Sequence, residues 1–263
     1  MRRRRFGLSI YCCALLAFLF APTLAIVVFA FETSGKGTLP IDGFGLRWFR
    51  QVFSDPVTVR AFRASAIVAI VTASIAVVIG TLASYALFRR RSRWGQGLLA
   101  AATLPLAFPY LVIGISLLSM FHFLGVRLSL ATVTVGHLLI TLPAVIVTIS
   151  ARFSTFDPAL EEAARDLGAS AWRTFRSVTF PLIRPSVIGA GLLALALSLE
   201  EFIVTLFTIG GDSTVPIVIW AQMRRGVSPA VNAISTLLLV TTVVLVVATR
   251  KLTGATLAGK QAE

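Results

Sequence analysis

Six stretches of this chain, residues 6–31, 64–88, 98–121, 129–150, 186–209 and 231–249, carry almost no charge over about 19 to 26 residues each. A run of that length is enough to cross a hydrocarbon layer roughly 30 Å thick with some tilt. The layer holds no water to satisfy a bare backbone, so such runs cross it as helices that close their own hydrogen bonds. The pattern predicts an all-α, polytopic membrane protein with six transmembrane helices. A length of 263 residues would allow one or two soluble domains, but a mean hydropathy of +0.89 overrides that expectation.

The net charge of +13 would suggest nucleic acid in a soluble protein. No basic cluster interleaved with aromatic residues supports that, so no nucleic-acid partner is expected. The charges instead orient the spans. With the N-terminus inside, the inner segments hold Arg2 to Arg5, Arg89, Arg90, Arg91, Arg93, Arg152, Arg165, Arg173, Arg176, Arg184, Arg250, Lys251 and Lys260. That is twice the Lys and Arg of the outer segments, so both termini are expected to face the cytoplasm. The basic start followed by an apolar run could be a secretory signal. The run is too long for one and lacks a small-x-small cleavage site, which favours a retained first span.

Cys12 and Cys13 are adjacent in the first run and read as packing residues, and no metal spacing accompanies them. His122 and His137 read as satisfied or solvent-facing histidines. Pro105, Pro109 and Pro143 interrupt backbone hydrogen bonding inside spans, so they should face other helices or a cavity, as packing kinks or as a gate. Ser186, Ala190, Ala194 and Ser198 recur every fourth residue and present a small-residue face for close helix packing.

One stretch breaks the apolar pattern. EEAARDLGASAWRTFRSVTFP, residues 161–181, is charged and helix-patterned, and lies in the longest inner segment, residues 151–184. Asp157 can cap a helix that has Pro158 in its first position. Leu160, Ala163, Ala164 and Leu167 then form an apolar stripe, with Glu161, Glu162, Arg165 and Asp166 on the other face. Gly168 can take the left-handed conformation that ends the helix. Ser170 can cap a second helix carrying Trp172, Phe175 and Arg176, which Pro181 and Pro185 should stop before the fifth span. Short helices are marginal in water, so the stripe needs a partner surface. It can lie on this protein's own helix ends, on lipid, or in a groove of another protein; the mixed charge counts against lipid.

Glu162, Ala163, Ala164 and Gly168, followed by Phe180-Pro181, resemble the EAA loop of ABC importer permeases. The resemblance implies a type I ABC importer permease fold, with this loop as a cytoplasmic coupling helix docking on a separate ATPase subunit. Coupling would fall to Glu161, Glu162, Ala163, Ala164, Arg165, Asp166 and Gly168. The implied organisation is residues 1–59 as an N-terminal span and periplasmic segment, 60–251 as the core, and 252–263 as a cytoplasmic tail. Implied partners are ABC ATPase subunits, a second homologous permease, a periplasmic or extracellular solute-binding protein, and membrane lipid.

This chain is not expected to hydrolyse ATP. Residues 254–261, GATLAGKQ, space two glycines and a lysine like a phosphate-binding loop, but Gln261 replaces the Mg²⁺-binding hydroxyl and too few residues follow for a helix. ATP and Mg²⁺ would then be bound by the partner, with no cofactor in this chain and no catalytic or metal-ligating set within the spans.

Glu200 and Glu201 fall inside the fifth run, with Glu200 roughly 22 Å along a helix from Pro185. A charge there is costly, so it should face a cavity or a partner, as a cation path, an ion pair or a latch. Adjacent residues on a helix point about 100° apart, so at most one should face a pathway squarely. SLEEFIVTLFTIGG and TVPIVIWAQMRRGVSPAVNAISTLLL resemble the spermidine/putrescine importer permeases. That implies a polyamine or related cation, met by Glu200, Glu201, Phe202 and Trp220 through charge and cation–π contact. The family's Asp-Glu-Phe is Glu-Glu-Phe here, one methylene longer. Arg224 and Arg225 would repel a polyamine and suit an acidic patch on a solute-binding protein. Ferric iron or phosphonate permeases share much of the pattern. A stand-alone secondary transporter or channel is the further alternative, and would need intramembrane acids in two related halves.

Overall fold

A computed structural model describes residues 2–35, 40–89, 93–226 and 228–258. Arg90, Arg91 and Lys260 of the inner charge count, Lys36 of the outer segments, and the end of the 254–261 run lie outside them. The described residues are helical apart from connecting loops and one isolated bridge, Glu32 to Phe44. Five helical segments are long and apolar enough to cross a membrane, and a sixth is counted if one bent pair is taken as a single span. The all-α polytopic expectation holds.

The chain forms two compact units, Met1–Arg60 with Val218–Val240, and Ala61–Ile217 with Thr241–Glu263. In the first, α1 (Arg2–Ala30) is the first apolar run. Its end is pinned by Glu32, whose carbonyl accepts the Trp48 indole N–H (2.5 Å) and whose carboxylate accepts the Ser34 and Gly35 N–H groups. α2 (Arg47–Ser54) buries Trp48 and Val52. Asp55 then accepts the Val57 and Thr58 N–H groups and the Thr58 hydroxyl at the entry to α3 (Pro56–Arg89). The Thr58 hydroxyl, with those backbone donors, holds the Asp55 carboxyl below the usual range.

In the second unit, α3 and α9 (Phe180–Glu200) both pack on α6 (Leu130–Phe153), with Ala73, Ala76, Val145, Ile149, Ile183, Val187, Ala190 and Ala194 buried between them. The small-residue face of α9 is therefore packing surface. Pro143 lies buried inside α6.

The third run bends at its prolines, as the sequence suggested, while two other expectations, on Pro181 with Pro185 and on the fifth run, are corrected. α4 (Arg93–Thr103), a 3-10 turn (Leu104–Ala107) and α5 (Tyr110–Phe123) bend by 96°. Pro105 and Pro109 withhold two amide donors, and the residue before Pro109 is driven extended (Phe108 ψ 140°). Pro181 and Pro185 do not stop a helix: residues run helically from α8 (Ala171–Thr174) through a π turn (Phe175–Thr179) into α9. In the π turn the Phe180 N–H bonds Phe175 O, and this wider spacing carries the helix past the proline. The fifth run also breaks, at Glu201 (φ −69°, ψ 116°), before the short α10 (Ile203–Thr208). α11 (Val215–Arg225) and α12 (Pro229–Ala258) complete the chain.

Candidate functional site: the charged hairpin and the broken fifth span

α7 (Ala159–Asp166) begins one residue later than the sequence suggested, with Pro158 at the cap position, but Asp157 still accepts the Ala159 N–H (3.0 Å). The helix ends where expected. Gly168 sits at φ +84°, Gly168 N–H bonds Arg165 O and Ala169 N–H bonds Ala164 O, a Schellman closure. Ser170 caps α8 by accepting the Arg173 N–H.

Of the face opposite the apolar stripe, Glu161 is turned inward and is 2% exposed. Its carboxylate accepts the Thr179 hydroxyl (2.5 Å) and pairs with Arg165 (3.0 Å) and Arg89 (3.5 Å). Thr179 belongs to the π turn and Arg89 ends α3, so one buried carboxylate joins the hairpin to the ends of two spans. A buried carboxylate needs such partners, and here they come from elements 18 and 72 residues away. Phe88 stacks on Phe153 (4.8 Å) and meets Phe156 edge-on (5.4 Å) beside it. The apolar stripe faces outward: Leu167 is 90% exposed and Leu160 47%, with Ala163 also exposed and Ala164 half-buried. Glu162, Asp166 and Trp172 are exposed with them. Thr179 and the pairing of Arg89 carried no signal in the sequence.

The break in the fifth span places the two acids in different surroundings. Glu200, the last residue of α9, is exposed. Glu201 is buried, and its carboxylate accepts the Val204 N–H (2.5 Å), an orphan donor in the first turn of α10. Phe202 is half-buried. α10 packs closely on α6, where a Cβ on Gly136 would lie 2.6 Å from Val204 Cγ1. His137 of α6 is buried between Ser198 and Thr205. His122 is exposed, as are Cys12 and Cys13. On α11, Arg224 lies over the Trp220 ring (5.0 Å), so that ring already holds a cation, and Arg224 and Arg225 are both exposed.

Taken with the family match of residues 76–253, the apolar spans and the capped hairpin ahead of a broken fifth span define a membrane permease subunit of the ABC importer class. Residues 76–253 match the family described as binding-protein-dependent transport system inner membrane component, and the chain belongs to that family. It is 33% identical over 238 residues to the spermidine/putrescine transport system permease protein PotC of Escherichia coli K12, covering 90% of each chain. It is 34% identical over 230 residues to the putrescine transport system permease protein PotI of the same organism, covering 84% of this chain and 82% of that one. The fold matches a bacterial ABC transporter involved in import of the acidic polysaccharide alginate (TM-score 0.71, 16% identity, 95% of this chain and 97% of that one). It also matches the MetNI methionine ABC transporter (TM-score 0.65, 16% identity, 76% and 96%).

Proposed function

We propose that this chain is a translocation subunit of an ATP-driven importer for polyamines or a related cationic solute, with both termini in the cytoplasm. The observation that carries the substrate class is Glu200, an exposed carboxylate at a break in a membrane span. It stands in a chain whose relatives above are named for spermidine and putrescine. A carboxylate there can exchange part of an ammonium group's hydration for a charge pair, and Phe202, two residues on, is the candidate ring for a cation–π contact. Glu201 acts as the cap that shapes the break. Trp220 has its ring shared with Arg224, so an arriving ammonium would compete for it. Arg224 and Arg225 are the contacts for an acidic patch on a solute-binding protein.

ATP and Mg²⁺ are bound by a separate ATPase subunit, and a second similar permease completes the pathway. The outward Leu160, Ala163 and Leu167 seat in a groove of the ATPase, rimmed by Glu162, Arg165 and Asp166. Burying a leucine side chain stabilises such a joint by about 1.5–3 kcal/mol. Glu161 faces the other way and carries the movement: as the paired ATPases close, the hairpin shifts, and the carboxylate pulls on Thr179 and Arg89 and so on α9 and α3 together. The spans rock between inward- and outward-open states, and solute released by the receptor passes inward.

The test is uptake of labelled spermidine and putrescine by cells expressing the chain with its partner subunits, alongside ferric iron and a phosphonate. Uptake of the polyamines that requires ATP and the receptor supports the reading. Selective uptake of either control solute would replace the substrate class and leave the permease role standing.

A further inference from the structure

We propose that His137 is a positioning residue: its imidazole bridges both sides of the break in the fifth span, holds that break at one geometry, and so sets where Glu200 stands. The proposal rests on the reading of Glu200 as the cation-facing carboxylate.

The two ring nitrogens reach opposite sides of the break. Nδ1 lies 2.7 Å from Ser198 Oγ near the end of α9, and Nε2 lies 2.8 Å from Thr205 Oγ1 in α10. The three side chains are 1%, 5% and 0% exposed. Their proton directions follow from counting donors. The Thr205 hydroxyl has one proton and gives it to Glu201 O (2.9 Å). Thr205 therefore accepts from His137 Nε2–H, which leaves Nδ1 to accept the Ser198 hydroxyl proton. A one-way chain runs from Ser198 through the imidazole and Thr205 to the carbonyl at the break itself.

A break in a membrane helix leaves backbone groups that lipid cannot satisfy, so it persists only where protein groups take them. Here Glu201 takes the Val204 N–H and Thr205 takes the Glu201 carbonyl. Neither contact fixes the two helical pieces to a third element. His137 does, because it is anchored on α6, and Thr132 of the same helix reaches the Thr208 carbonyl (2.7 Å) at the far end of α10. Glu200 is two residues beyond Ser198, so the ring sets the carboxylate's position without touching solute.

The test uses the complete importer, reconstituted with receptor and ATPase, with labelled spermidine as the probe. His137→Leu removes both bonds at similar volume. His137→Gln keeps one acceptor for Ser198 and one donor for Thr205. Ser198→Ala cuts the α9 side alone, and Thr205→Val cuts the α10 side together with the bond to the Glu201 carbonyl. The expected result is a KM raised about tenfold in His137→Leu, consistent with losing buried hydrogen bonds. His137→Gln is expected to stay within about threefold of the parent, with the single-side variants between. If His137→Leu does not assemble, the Gln, Ala and Val series carries the same ordering. A Gln variant as impaired as Leu, or single-side variants with parental KM, would overturn the proposal. Glu200→Gln is measured in parallel. Parental KM there removes the Glu200 reading; a raised KM there beside a parental His137→Leu removes the inference alone.

Discussion

The Thr179 hydroxyl donates to the buried Glu161 carboxylate across 2.5 Å, which ties the charged hairpin to the π turn that opens the fifth span. The same carboxylate pairs with Arg89 at the end of the second long span. A movement imposed on α7 thus has a short polar route into α9 and α3.

Glu161→Ala should cut that route. It strands the Thr179 hydroxyl, while Arg165 and Arg89, respectively 46% and 35% exposed, can turn to water. The local cost is about 1–3 kcal/mol, too small to unfold the chain. The expected outcome is an assembled importer whose uptake per ATP hydrolysed falls severalfold, read in proteoliposomes. An unchanged ratio would remove Glu161 from transmission.

Leu167→Glu tests the outward stripe. At 90% exposure Leu167 contributes almost nothing to the chain's own core, so the variant should remain folded in the membrane. It should lose co-purification of the ATPase subunit, because a carboxylate would be buried in the groove. Full recovery of the ATPase with the variant would place the joint elsewhere.

Gly168 separates backbone strain from crowding. Its φ of +84° disfavours branched residues, yet a Cβ there meets no atom within 4 Å. Gly168→Asn should be tolerated, since asparagine visits the left-handed region, whereas Gly168→Val should cost about 1–2 kcal/mol and loosen the hairpin. Proteolysis of the hairpin in the two variants reads the difference; equal protection would contradict it.

Glu200→Gln and Glu201→Gln should behave differently although the residues are adjacent. Glu200→Gln is expected to raise the KM for spermidine about tenfold or more, because a neutral amide loses the charge pair, with thermal stability in detergent unchanged. Glu201→Gln keeps an acceptor for the Val204 N–H and should transport nearly normally, while Glu201→Ala loses the contact and about 1 kcal/mol of stability. The reverse ordering would exchange their roles.

Gly136→Val should destabilise the α6–α10 contact by about 1–3 kcal/mol, because its side chain would enter the space held by Val204. A lowered melting temperature of the purified chain is the expected sign, and an unchanged one would mean the helices can separate freely.

Hydropathy and turn chemistry were readable along the chain because their signals are local. The apolar runs mark spans by length alone, and Gly168 and Ser170 mark helix ends through contacts within a few residues. The breaks at Phe108 and Glu201 were harder, since a proline or an acid in a span is compatible with a kink, a cap or a continuous helix. Only packing against α6 shows which of these occurs. The burial of Glu161 was not readable at all. Its position on α7 is set by Thr179 and Arg89, which approach only after three helices have folded together. His137 is the same case: a lone histidine in an apolar run says nothing until Ser198 and Thr205 arrive on either side. Linear order therefore dictated the spans, the hairpin and its ends, because those depend on lengths, periodicities and caps within one segment. Which carboxylate is exposed and which is enclosed was left to the packed helices, because burial and hydrogen-bond partners come from residues distant along the chain.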